Sequence, residues 1–90
     1  MATHKSAIKR HRQDNRRRLE NRLHRGRMRT AVKRYRHALT TGDVESARGM
    51  LGKTLSLIDK TAKAGAIHGN AADRAKSRLT LALSRAASAQ

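Results

Sequence analysis

The sequence predicts an all-α fold: a three-helix bundle, running up, down and up, with a long basic first helix that protrudes from it. Three observations carry that prediction. Every apolar periodicity in the 90 residues advances in steps of three and four, the spacing of a helical face. There are no alternating β-branched runs, no hairpin dipeptides and no proline. Glycine-bearing breaks at Gly42-Asp43 and at Ala64 to Gly69 divide the chain into three segments joined by short links. The expected elements are helices over about 4–40, 44–64 and 70–87, in one domain spanning 1–90.

In the first segment Met28, Val32, Tyr35 and Leu39 share one face. Leu19 and Leu23 lie on the roughly opposite face, two and a half turns back. The core-facing stripe therefore begins only near Met28, just after Gly26. A helix over these residues is roughly 54 Å long, whereas a compact domain of this size is only about 30 Å across. The stretch without a stripe, residues 4 to 25, must overhang, and its order is expected to depend on a binding partner.

Gly42 can take the left-handed position that ends a helix, and Asp43 can cap the next one. Glu45 follows in the first turn, where the helix dipole favours an acid. Val44, Ala47, Leu51, Leu55, Ile58 and Ala62 form the second stripe. Gly65 is the next stop, and Ile67 is expected to plug the end of the core. Asn70 reads as the cap of the third helix, with Asp73 completing a box-like arrangement. Ala72, Ala75, Leu79, Ala82, Leu83 and Ala86 face inward, and residues 86–90 are expected to fray.

The charge is lopsided. The chain holds 22 Lys and Arg against six acids, for a formal net charge of +16. Fourteen of those bases precede Ala38, opposed only by Asp14 and Glu20. Arg18, Arg22, Arg25, Arg29, Lys33 and Arg36 form a ladder along one helix face, and Lys5, Lys9, Arg12 and Arg16 form a shorter one before it. Like charges one turn apart repel, so a ladder without acidic partners calls for an outside polyanion. Arg10 and Arg17 add to the same stretch. Arginine dominates it, and the planar guanidinium grips phosphate with two hydrogen bonds.

The mode of recognition also follows. Readers of single strands stack bases on aromatic side chains, and Tyr35 is the only aromatic residue here. It lies on the core stripe, where a core tyrosine with a solvated hydroxyl is the expectation. The chain should read shape and phosphate, not base sequence.

Other classes find little support. No apolar run reaches the roughly 18 residues of a membrane span, and an anchoring helix would want aromatic residues. An organellar transit peptide would match the Arg-rich start, but the basic pattern runs on into the core stripe. The absence of cysteine removes disulfides and thiolate chemistry. His4, His11, His24, His37 and His68 form no i, i+4 pair, so no metal site is expected. His68, in a tight turn, is a candidate to donate to a backbone carbonyl or to a phosphate. No catalytic motif, cofactor site or small-molecule substrate site is recognisable.

Several stretches match a known family. Ala2, Lys5-Ser6-Ala7, Lys9-Arg10, Met28-Arg29-Thr30, Lys33 and Gly42-Asp43 do so first. They are followed by Ile58-Asp59-Lys60, Ala62-Lys63, Gly65, Ile67-His68, Asn70, Ala72, Arg74 and Lys76-Ser77-Arg78-Leu79. In order and spacing the whole chain resembles the bacterial small-subunit ribosomal protein S20 family. The resemblance implies a three-helix bundle with an extended first helix and direct binding to 16S ribosomal RNA. It further implies a structural, non-enzymatic role in the cytoplasmic ribosome, as a monomer with few protein contacts. It marks Lys5, Ser6, Lys9, Arg10, Arg29, Thr30, Lys33, His68, Asn70, Arg74, Lys76 and Arg78 as RNA-facing. Gly69 and Asp73 stand where the family is more often basic, which weakens the start of the third helix as a phosphate site. The competing functional reading is a histone-like protein that compacts nucleic acid; it would bind duplex DNA equally well and would usually form a dimer.

Overall fold

The computed structural model describes residues 2–89, with side chains from Ala7 to Ala89. It consists of three α-helices, α1 (Ala2–Thr40), α2 (Val44–Lys63) and α3 (Gly69–Ala89), with no strand among the described residues. Helix α1 is 39 residues long, and the molecule measures 68 × 20 × 15 Å. The long axis is set by α1 and far exceeds the other two. Residues 7–20 are exposed on every face, and Asn21 is the first half-buried position. The overhang is therefore helical and ends at about residue 20, earlier than the apolar stripe indicates. Asn21, His24 and Arg25 are half-buried because the end of α2 and its link to α3 reach back to them. Polar residues make those contacts, so hydropathy spacing could not register them.

Both links close in the same way. After α1, Asp43 N–H bonds to Ala38 O at 2.9 Å and Gly42 N–H to Leu39 O at 3.2 Å. After α2, Ala66 N–H bonds to Thr61 O and Gly65 N–H to Ala62 O, both at 3.0 Å. Each pair satisfies carbonyls left open at a helix end and requires a left-handed residue between them. Gly42 and Gly65 supply it, each at φ +81°. Asp43 then caps α2, its carboxylate accepting from Ser46 N–H at 3.2 Å.

The third helix starts differently from the expectation. Its cap is His68, whose Nδ1 accepts the Asn70 backbone N–H at 3.0 Å, while His68 O accepts from Ala72 N–H. Asn70 lies inside the helix, and Asp73 turns to Lys76 instead of back to the cap. An imidazole with a free ring nitrogen does the work usually given to a Ser or Asp side chain. At the other end α3 continues to Ala89, so most of the terminal residues expected to fray are helical.

The core is small. Tyr35, Ala38, Ala47, Ile58, Ala72 and Leu79 are buried together, with Met28, Val32, Leu39, Met50, Leu51, Ala62, Ile67, Ala75 and Leu83 packed around them. Two polar positions were not legible as core. Thr54 and Thr61 are buried on α2, and each hydroxyl donates to the carbonyl one turn back, Met50 O at 2.9 Å and Leu57 O at 2.7 Å. That local bond satisfies the polar atom and leaves the methyl to pack. Ile67 packs at the core edge, but Ala66 is the buried residue of the link, turned inward by the helix-ending motif.

Helix α2 packs against both neighbours, whereas α1 and α3 meet over a shorter stretch. At that crossing Tyr35, with no exposed surface, donates its hydroxyl to Leu79 O at 2.7 Å. The hydroxyl is therefore bonded inside the protein, not solvated. Burial pushes the phenol pKa upward.

Candidate nucleic-acid interface

The helix that overhangs the bundle also carries the charge. Lys9, Arg10, Arg12, Arg16, Arg17, Arg18, Arg22, Arg29, Lys33 and Arg36 are exposed along α1, as is Thr30. The side chains of Lys5 and Ser6 lie outside the described residues. Among the described residues no carboxylate pairs with any base of α1; the ion pairs are Arg48–Glu45 at 3.0 Å, Lys76–Asp59 at 2.8 Å and Lys76–Asp73 at 3.7 Å. Among the described bases of α1 only Arg25 makes a side-chain hydrogen bond within the chain, Nη1 donating to Ala66 O at 3.3 Å. The ladder is thus held in line by helix geometry, and no ion pair is formed to it among the described residues.

The structure resolves two ladders on α1. Arg18, Arg22, Arg25, Arg29, Lys33 and Arg36 occupy one flank. The ladder begun by Lys9 and Arg16 runs on, past Leu19 and Leu23, into Arg27 and Arg34 on the flank beside α2. Arg27 and Arg34 escaped the sequence reading of the ladders, although a step of eighteen residues, five helical turns, leads from Lys9 to Arg27 and from Arg16 to Arg34. Lys53 of α2 borders the same hollow as Arg34 and was likewise missed. Between the ladders runs an outward strip with Leu19, 58% exposed, and Leu23, 52% exposed.

Three of the remaining sequence-predicted residues, His68, Asn70 and Arg78, join the ladder at two defined points. The Arg25–Ala66 bond sets the α1 ladder beside the α2–α3 link that carries His68, with Asn70 following in the first turn of α3. The Tyr35–Leu79 bond brings their chain neighbours Arg36 and Arg78 to one crossing. Arg74 and Arg78 are exposed on α3. Lys76 is different, because its ammonium is engaged by Asp59 across the α2–α3 interface. Its pKa is raised, first by the hydrogen bond to Asp59 and then by the charges of Asp59 and Asp73. His68 acts through Nδ1 as an acceptor from backbone, so Nε2–H is the atom it can offer outward.

Among the described residues no group of three His, Asp or Glu side chains could hold a metal ion, and no helix is long and apolar enough to cross a membrane.

Comparison with known proteins gives one consistent result. The family described as "Ribosomal protein S20" matches residues 2–84. The chain is similar to the small ribosomal subunit protein bS20 of Maridesulfovibrio salexigens, 45% identical over 87 residues that cover 97% of this chain and 100% of that one. It is similar to bS20 of Magnetococcus marinus, 47% identical over 79 residues, covering 88% and 86% of the two chains. To bS20 of Desulforapulum autotrophicum it is 49% identical over 83 residues, covering 92% and 99%.

Proposed function

The chain belongs to the ribosomal protein S20 family, and from that premise we propose that it binds 16S ribosomal RNA directly, as a monomer, through phosphate and shape. It is a structural constituent of the small ribosomal subunit and not an enzyme. The observation that carries the RNA reading is the protruding α1 helix, whose exposed bases have no carboxylate partner among the described residues. Packed RNA helices offer phosphates at the density such a rod requires.

The proposed contact set is the α1 ladder with Thr30, joined at the bundle by His68, Asn70, Arg74 and Arg78. Lys76 serves mainly to tie α3 to α2. Arginine forks suit the phosphates of one fixed, folded RNA, and Tyr35, the sole aromatic residue, is buried and so not open to a base. Such a protein stabilises the RNA fold it bridges and is stabilised by it in turn.

Footprinting on a small-subunit ribosomal RNA fragment at about 200 mM salt tests the reading. Protection concentrated at a few backbone segments supports it; protection no better than on random duplex refutes it. If six to ten phosphates are neutralised, affinity should fall about 10³- to 10⁵-fold between 50 and 200 mM salt.

A further inference from the structure

Gly26 lies in the middle of α1 with an ordinary helical backbone, not the left-handed one that calls for glycine. Nothing within 4 Å would meet a Cβ built on it. The fold therefore has no use for a glycine there, although glycine weakens a helix interior relative to alanine. The surroundings are specific, however. Gly26 sits in a shallow hollow on the outward strip, walled by Arg22 on one ladder and by Arg27 and Arg34 on the other. Leu23, Thr30, Ala31 and Leu57 complete it, and no acidic side chain lines it.

Resting on the RNA reading above, we infer that this hollow receives one ribose–phosphate strand, which approaches the α1 backbone most closely at Gly26. The parts fit that occupant. Cations on both sides can reach phosphates on either side of a ribose. Thr30 offers a hydroxyl, and the exposed Leu23 offers an apolar surface for the sugar face. The missing Cβ lets the strand sit one methyl nearer to the helix axis, which shortens the reach required of all three arginines. A protein partner fits less well, because three arginines without an acid would have to be desolvated against it.

The test is Gly26→Ala in the full-length protein, with filter binding to a 16S ribosomal RNA fragment at fixed salt and circular dichroism of the free chain. Alanine should make the free helix more helical and still weaken binding, by about tenfold or more for an overpacked contact. Gly26→Leu should weaken it further at unchanged helicity. A Gly26→Ala protein that binds as tightly as the parent, or more tightly, overturns the inference and leaves the RNA reading standing. Failure of the parent protein to bind the fragment overturns both.

Discussion

Tyr35→Phe separates the two things this single aromatic residue could do. In the structure its ring has no exposed surface, and its hydroxyl donates to Leu79 O at 2.7 Å across the α1–α3 crossing. Leu79 is in the interior of α3, so its carbonyl keeps its own helical partner when the hydroxyl is removed. The loss is therefore one neutral buried hydrogen bond without an orphaned acceptor, about 1 kcal/mol. For a domain of this size that is a fall in Tm of roughly 4–8 °C. Thermal unfolding followed by circular dichroism reads it, alongside RNA affinity at fixed salt. The expected result is a lower Tm with affinity unchanged within about twofold, as for a core residue that never meets RNA. An unchanged Tm with affinity reduced tenfold would mean that the Tyr35 hydroxyl contacts RNA instead of Leu79 O, and that the assignment of Tyr35 to the core is wrong.

Three further outcomes follow from the same geometry. His68→Ala removes the cap of α3 and should cost about 1 kcal/mol, seen as faster amide exchange in the first turn after Gly69, whereas His68→Asn should retain most of it. Lys76→Ala should weaken RNA binding less than Arg22→Ala, because Asp59 and Asp73 already engage that ammonium; equal losses would remove the distinction drawn between them. With pH, Tyr35 and Lys76 both have raised values in the folded chain, so their stabilisation is full below about pH 10 and is lost as pH rises through those values. Asp43 is lowered, chiefly by the bonds from Ser46, so its contribution is present above about pH 4 and is lost as pH falls further. A pH series of urea midpoints should therefore drop at both extremes, and Tyr35 absorbance should titrate together with alkaline unfolding.

Much of this protein was legible before any coordinates. Steps of three and four mark the three helices because one face of each must leave water, and that requirement is written in residue spacing. Gly42, Asp43 and Gly65 announce the breaks because positive φ and side-chain capping are local properties of one or two residues. The uncompensated charge of α1 was equally plain, since a count of bases and acids needs no fold.

Only the tertiary structure could decide the rest, because it depends on which atoms from distant segments meet. Asn21, His24 and Arg25 are partly covered by a link 41 residues away from Arg25, so the overhang ends before the apolar stripe begins. Thr54 and Thr61 enter the core because each hydroxyl finds a carbonyl on its own helix, a saving that hydropathy does not register. His68 displaces Asn70 as the cap because the turn after Gly65 aims its ring nitrogen at a backbone N–H. Lys76 leaves the basic surface because α2 holds Asp59 opposite it. Spacing along a chain determines which face of a helix is apolar or charged; packing between helices determines which of those side chains are still free to bind.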